Sequence, residues 1–487
     1  MNSKIIILLF VISFTIVFHS CKNDDDSTPE TSTSVNDFVW KAMNTWYYWQ
    51  NSVSDLADNR FSNNSEYNTF IEAQQSPDNL FHSLLYDYGN TDRFSWIVDD
   101  YHELENQFSN INYGFGMDYG LVLTGQNTSN LFGYIQYVLP NSPAENAGLQ
   151  RGDIFTHING TQLTTSNYLE LLENSTIELK LGYIENGQLF ETNEVISLTK
   201  VEIHENPIYL STIMNEGTHK IGYLVYNGFR ANYNDELNDA IGQLKNQGIT
   251  DLILDLRYNG GGSVQTSTYL GSMITGQFPQ EAFTHLTFNK KRSSNNSTYL
   301  FENEAKLFDN SLEQTGTFPL NHLNLNRLYV ITTRGTASAS EMLISCMRPY
   351  INVVTVGTQT YGKTVGSITL YDSPSSYYTS NENINNSHTW ALQPIVFEYK
   401  NTKNQSGSTT GIVPNVEINE LNFLENLEQL GNPNEPLLSA AISQITNDNR
   451  HTPNIHSSFE NHLFKTTQTL NRWETEMYLD KGFYFSP

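Results

Sequence analysis

The sequence predicts an α/β protein in which a strand–helix core follows a small helical domain and a β-rich domain. Three observations predict it. From about Lys220, apolar strand runs alternate with amphipathic helix patterns, as in helices packed on a central sheet. Residues 111–200 instead carry short apolar strands broken by glycine-containing turns. Residues 36–105 place apolar and aromatic residues near helical spacing. At 487 residues the chain is too long for one ordinary domain. The expected division is a targeting segment (1–21), a linker (22–35), a helical domain (36–105), a β-rich domain (110–200), an α/β core (204–447) and a tail (448–487).

In the targeting segment, Lys4 supplies a positive start, and Ile5 to Phe18 form an apolar run of signal-peptide length, short for a membrane span. The run ends at His19-Ser20-Cys21. A cysteine placed there resembles a bacterial lipoprotein cleavage site, which implies lipidation of Cys21; plain secretion with an incidental cysteine is the alternative. Lys22-Asn23-Asp24-Asp25-Asp26 resembles the surface-export tag of Bacteroidetes-type lipoproteins, or serves as a solvated tether. Cys346 is the other cysteine. With Cys21 lipidated, no disulfide can form within the chain. Cys346 reads as a small core hydrophobe inside a helix.

Composition narrows the function classes. An apolar fraction of 38% with 12% aromatics supports real cores and excludes a disordered chain. The formal charge of -26 argues against nucleic-acid binding, which needs a clustered basic footprint. Histidines are scattered, and there is no H-E-x-x-H motif or Cys/His cluster, so neither a metal site nor a cofactor is expected.

In the helical domain Phe38, Val39, Met43 and Tyr47 fall near helical spacing, with Trp40, Trp46 and Trp49 close by. These aromatics are expected as core rather than as a ligand platform. Segments 65–73 and 78–86 read as further helices, with Ser65 and Asp78 as N-caps.

The β-rich domain begins with Tyr113-Gly114-Phe115-Gly116-Met117 before a strand at 120–123, and a second strand spans 133–138. Ser142-Pro143-Ala144-Glu145-Asn146-Ala147-Gly148-Leu149 and Gly152-Asp153-Ile154-Phe155-Thr156-His157-Ile158-Asn159-Gly160 follow. Pro143 suits the start of a short helix, Gly148 its left-handed end, and Asn159-Gly160 a tight turn. The succession resembles a PDZ domain in its bacterial, circularly permuted form. That resemblance implies that a peptide C-terminus adds a strand to the sheet edge while loop N–H groups hold its carboxylate. Tyr113, Gly114, Phe115 and Gly116 match that loop.

In the core, 221–226, 252–256, 328–332 and 352–357 read as strands and 235–246 and 337–347 as helices. Leu237, Ala240, Ile241 and Leu244 share one face of the first helix. Segment 285–325 is an Asn/Ser-rich excursion with a helix expected near 303–312. The tail is polar and irregular but carries Tyr478, Phe483, Tyr484 and Phe485, so it is expected to dock, at a place the sequence does not specify.

Three pieces of the core carry chemistry. Ser338 lies between a strand and a helix, flanked by Ala337 and Ala339, so the helix N-terminus sets free N–H groups beside it. Ala339 N–H is the expected first oxyanion donor. The second should come from the Gly260-Gly261-Gly262 loop, with Gly260 and Gly261 as candidates. A serine hydroxyl needs a base. Lys363 follows one helix and one strand later, and burial would lower its pKa enough for that role.

These pieces resemble the carboxy-terminal processing peptidases, or tail-specific proteases. Asp255-Leu256-Arg257-Tyr258-Asn259-Gly260-Gly261-Gly262, Ser338-Ala339-Ser340-Glu341, Gly362-Lys363-Thr364 and Gly411-Ile412-Val413-Pro414-Asn415-Val416 match motifs of that family, the last with Asn415 for an aspartate. The resemblance implies a crotonase-like peptidase core, a Ser338–Lys363 dyad and endoproteolysis of chains presented by their C-termini. Many members carry an orienting glutamine four residues after the lysine; here Ser367 stands there. Glu341 matches a family glutamate considered a third polar partner. It either holds Lys363 in place or stabilises the first turn of its helix.

The expected function is therefore a secreted, lipid-anchored serine endopeptidase of the cell envelope, an outer-membrane lipoprotein. Its partners are protein or peptide substrates with free C-termini, and it touches the membrane through the lipid anchor only. Two alternatives differ in class: a catalytically inactive PDZ-containing peptide-binding protein, supported by Ser367 and Asn415, and an esterase or amidase on small molecules, which would not need the PDZ-like domain.

Overall fold

A computed structural model describes residues 29–448, Phe459, 462–470 and 475–480. The segment 1–21 with Cys21, the acidic cluster at 24–26 and the aromatics 483–485 lie outside the described residues.

The core sheet runs in the order Ile208–Glu216, His219–Tyr226, Asp251–Asp255, Arg327–Thr332, Asn352–Gly357 and Val416–Glu417. Its first pair is antiparallel and the rest are parallel. Asp251–Asp255 is buried along its whole length, as a central strand covered on both faces must be. On one face Leu224, Leu252, Leu254 and Val330 meet the helices Asn234–Asn246, Val264–Thr275 and Ala339–Met347. On the other, Tyr223, Ile253, Tyr329 and Ile331 meet Leu437, Leu438, Ala441 and Ile442 of the helix Pro436–Thr446. The strand–helix–strand units place Ser338 and Lys363 after neighbouring parallel strands, hence at the same end of the sheet.

A second sheet has the order Gly262–Ser263, Met477–Tyr478, Val365–Ser367, Ile395–Lys400, Ala282–Phe288 and Ser297–Leu300. A tail strand thus lies between the glycine loop and the strand that follows Lys363. The β-rich unit is an antiparallel sheet ordered Leu463–Thr466, Met117–Leu123, Leu131–Val138, Ile154–Ile158, Thr176–Glu185 and Gln188–Thr199, so the tail docks here too. Ser142 caps the short helix Pro143–Asn146, Gly148 takes φ +83, and Asn159 and Gly160 take φ 52 and 72 in the turn to Thr161–Gln162.

The helices Pro29–Trp46, Asn64–Glu72 and Pro77–Ser83 bury Phe38, Val39, Met43, Trp46 and Tyr47 in a cluster continuous with the α/β core. Two caps differ from expectation. Asn63 accepts from Glu66 N–H at 3.0 Å and Ser76 from Asn79 N–H at 3.1 Å, so Ser65 and Asp78 lie inside their helices. Ser76 wins because Pro77 follows it, and proline is tolerated at the first helical position. The helix expected near 303–312 is instead a hairpin of Glu304–Phe308 and Gln314–Pro319. Asp309 Oδ1 accepts from Ser311 and Glu313 N–H at 2.9 and 3.0 Å, which turns the chain back where a helix would continue.

Candidate active site

Three adjacent parallel strands, Asp251–Asp255, Arg327–Thr332 and Asn352–Gly357, release their loops at one edge of the core sheet. Those loops carry Asn259 to Gly262, Ser338 and Lys363. Binding at the carboxyl ends of parallel strands is the general rule for open α/β sheets, because the loops converge there.

Ser338 is fully buried and sits at φ 63, ψ -116, immediately before the helix Ala339–Met347. A positive φ is rare for a residue with a Cβ and costs on the order of 1–3 kcal/mol. This conformation starts the helix at Ala339 rather than at Ala337. Three bonds hold the turn: Ala337 N–H and Ser340 Oγ both donate to Asn259 O, at 3.1 and 3.0 Å, and Ser338 N–H donates to Glu341 Oε2 at 2.9 Å. Among the described residues the Ser338 hydroxyl makes no aligned hydrogen bond; as N-cap it faces the Glu341 N–H of its own helix. A buried unsatisfied hydroxyl costs roughly 1–3 kcal/mol, so its persistence is a functional signal.

The glycine loop touches this turn. A Cβ on Gly261, whose φ is +115, would lie 2.7 Å from Ser338 Cβ and 3.0 Å from Ala339 N. That closeness requires glycine at this position. Gly261 is not an oxyanion donor, however: its N–H donates to Asn259 Oδ1 at 2.9 Å. Gly262 N–H donates to Glu476 O at 2.6 Å. Gly260 and Ala339 keep N–H groups that no acceptor among the described residues takes.

Lys363 is fully buried. Its Nζ lies 3.1 Å from Glu476 Oε2, near enough for an ion pair but not aligned as a hydrogen bond, and 5.1 Å from the Phe94 ring centre. Burial depresses its pKa below the ordinary lysine value, and the Glu476 carboxylate opposes that shift. Its turn is pinned from the helical domain, where Arg93 donates to Gly362 O at 2.9 Å.

Glu341 neither holds the Lys363 ammonium nor acts merely as a first-turn acid. It accepts from Ser338 N–H, Gly362 N–H at 2.8 Å, Lys363 N–H at 2.9 Å and the Thr360 hydroxyl. One carboxylate therefore laces the serine turn to the lysine turn. Burial raises its pKa and these four donors counter the rise.

Ser367 does not bond the lysine. Its hydroxyl donates to Glu476 Oε2 at 2.8 Å and accepts from Gln393 Nε2 at 3.0 Å. Glu476 is the site residue that sequence reasoning missed. It belongs to a tail with no motif, and Thr475-Glu476-Met477-Tyr478 has no alternation that would mark a strand. Trp96 Nε1 donates to its other oxygen at 2.9 Å. The Asn415 departure is benign in geometry, since its Oδ1 accepts from Thr355 N–H and Oγ1 at 2.9 and 3.0 Å, as a carboxylate would.

Of the expected carboxylate loop, Tyr113 and Gly114 end the strand Ile111–Gly114, and the Tyr113 side chain is exposed. Phe115 O accepts from Ala144 N–H and Gly116 O from Leu139 N–H, which fix the loop on the short Pro143 helix. Gly114, Phe115 and Gly116 line a cavity of about 320 Å³ together with two cations, Lys200 and Arg230, and three acids, Asp118, Glu173 and Glu205.

Comparison with known proteins identifies the parts. Residues 220–418 match the model of peptidase family S41, residues 34–96 the peptidase S41 N-terminal domain, and residues 134–181 a PDZ domain. A carboxyl-terminal-processing protease of Picosynechococcus is 27% identical over 231 residues, 46% of this chain and 49% of that protein. A probable CtpA-like serine protease of Staphylococcus epidermidis is 24% identical over 233 residues, 46% of this chain and 41% of that protein. The chain thus spans less than half the length of these relatives. The crystal structure of a putative S41 protease from Bacteroides fragilis superposes with a TM-score of 0.64 at 27% identity, covering 84% of this chain and 97% of that one.

Proposed function

From the premise that this chain belongs to peptidase family S41, with that family's N-terminal domain and a PDZ domain, we propose that it is a serine endopeptidase acting on chains presented by their free C-termini. One observation carries the reading: a buried serine at a helix N-terminus, its hydroxyl without an aligned bond among the described residues, laced through a single carboxylate to the turn of a buried lysine.

The chemistry follows from this arrangement. Neutral Lys363 takes the Ser338 proton as Oγ attacks the scissile carbonyl carbon. The carbonyl oxygen becomes an oxyanion facing the uncommitted N–H groups of Ala339 and Gly260. Collapse expels the amine, which leaves with a proton from the lysine. An acyl group then sits on Ser338 until water, deprotonated by Lys363, releases it. Losing one such oxyanion donor typically costs about 10²–10³ in rate.

The PDZ domain would capture the substrate C-terminus by strand addition, with the loop Gly114 to Gly116 beside the cavity receiving its end. Secretion and a lipid anchor at Cys21, placing the enzyme in the cell envelope as an outer-membrane lipoprotein, complete the reading. Support for these is the pattern of residues 1–26 alone.

The test is degradation of one unfolded protein with an apolar end, either free or amidated, by the chain lacking residues 1–21. Ser338→Ala and Lys363→Ala are each expected to abolish cleavage while the circular dichroism spectrum is retained. The free carboxylate should be preferred. Near-full activity in Lys363→Ala would sink the dyad. Binding of free C-termini without cleavage of any substrate would favour an inactive peptide-binding protein.

A further inference from the structure

The C-terminal tail crosses both halves of the site just described. Its strand Leu463–Thr466 pairs antiparallel with Met117–Leu123, in the register Leu463 with Val122 and Thr466 with Gly120. That is the sheet edge to which a captured peptide would add. The direction also matches, since Leu463 to Thr466 runs toward the Gly114–Gly116 loop, as an incoming C-terminus must. The Phe464 ring meets the Tyr168 ring edge-on with centres 5.4 Å apart, and Tyr168 opens the helix Tyr168–Glu173. Thr467 Oγ1 accepts from Tyr119 N–H at 2.9 Å, and Thr467, Gln468 and Leu470 reach the cavity beside the loop.

The same segment then reaches the dyad. Met477–Tyr478 inserts parallel to both Gly262–Ser263 and Val365–Ser367. Glu476 O takes the Gly262 N–H, and Glu476 Oε2 stands 3.1 Å from Lys363 Nζ. A carboxylate at that distance favours the ammonium form of the lysine, which cannot accept the Ser338 proton. The other groups facing Lys363 are Asp92 and Glu341, both acidic, and the Phe94 ring.

We infer that the tail is an intramolecular occupant of the peptide path, holding the resting enzyme closed by filling the PDZ edge with Leu463–Thr466 and pairing Glu476 with the catalytic lysine. The inference rests on the peptidase reading and adds its regulation. A substrate C-terminus must displace Leu463–Thr466 to bind. Its affinity is therefore reduced by the fraction of time the edge is filled. Leu463 to Lys465 are only partly buried and can leave, whereas Thr466 and Glu476 to Tyr478 are buried. Release is thus expected to begin at the PDZ edge.

Two variants test it on the full chain after residue 21. In a Ser338→Ala background, Phe464→Asp removes the tail's apolar anchor. Fluorescence anisotropy of a labelled peptide with a free, apolar C-terminus should then show affinity raised about tenfold or more, the scale of one aromatic burial. In the Ser338 enzyme, Glu476→Gln keeps the shape and removes the charge. Cleavage at neutral pH should rise, and the ascending limb of the pH–rate profile should move to lower pH by roughly one unit or more. Unchanged peptide affinity in Phe464→Asp would overturn the inference. So would Glu476→Gln that is slower at every pH with its limb unmoved, since Glu476 would then be a positioning partner of the dyad. If no form cleaves anything, the peptidase reading fails, and the binding measurement alone decides whether the tail fills the edge.

Discussion

Glu341 Oε2 accepts from the backbone N–H groups of Ser338 and Lys363, each at 2.9 Å. The two backbone nitrogens cannot be further apart than twice that distance. The candidate nucleophile and base are therefore brought together by backbone, through a third residue that touches neither reactive atom. Such a tie fixes where both side chains begin, and misplacement by 1 Å can cost on the order of 10² in rate.

Glu341→Gln tests that tie. An amide keeps one acceptor but turns an NH₂ toward N–H donors. The expected loss is roughly 1.5–3 kcal/mol of stability, the worth of hydrogen bonds to a charged group, with kcat lowered about 10²-fold and KM little changed. Urea unfolding and steady-state kinetics on a peptide substrate measure both.

Activity should depend on pH in one direction. As the proposed base, Lys363 would act only when neutral, and burial brings its pKa below the ordinary lysine value. The protonated enzyme is inactive, so kcat/KM should rise as pH climbs through that depressed pKa and level off above it. A flat profile from about pH 5 to 9 would rule out lysine as the base.

Arg257, in the Asp255-Leu256-Arg257 motif, is a structural cation rather than a substrate contact. It is fully buried, bonds both oxygens of Glu435 at 2.7 and 2.9 Å and both of Asp255 at 3.0 Å. Burial pushes the Glu435 carboxyl up, but the Arg257 guanidinium outweighs it and holds it low. Glu435 in turn caps the helix Pro436–Thr446 through Leu438 N–H. Arg257→Met should cost about 3–5 kcal/mol, because two buried carboxylates lose their nearest cation. Arg257→Lys should recover only part of it, lacking the planar fork. Denaturant midpoints measure the series.

Asn415 provides a contrasting case. Its Oδ1 serves Thr355 purely as an acceptor, which an aspartate would also do. Asn415→Asp should leave stability and activity within about 0.5 kcal/mol, the range of neutral substitutions. Asn415→Leu should cost about 1–3 kcal/mol by stranding the Thr355 donors. Thermal melts of the two variants settle the comparison.

Much of this protein was legible in its sequence because the signals are local. Strand–helix–strand periodicity placed Lys363 one helix and one strand after Ser338, and proline and glycine marked the short helix at Pro143 and its end at Gly148. The same local logic failed at 303–312, where apolar residues suit either period and the Asp309 turn chose the hairpin. The tertiary structure alone decided the polar partners. The Gly261 N–H went to Asn259, a neighbour in sequence whose orientation depends on Tyr226 O across the sheet, which accepts from Asn259 Nδ2 at 2.8 Å. Glu476 reached Lys363 from more than a hundred residues away. Its place depends on a strand pairing that buries two residues between two other chain segments. A two-residue strand carries no periodicity of its own, so only the assembled sheet determined where it lies.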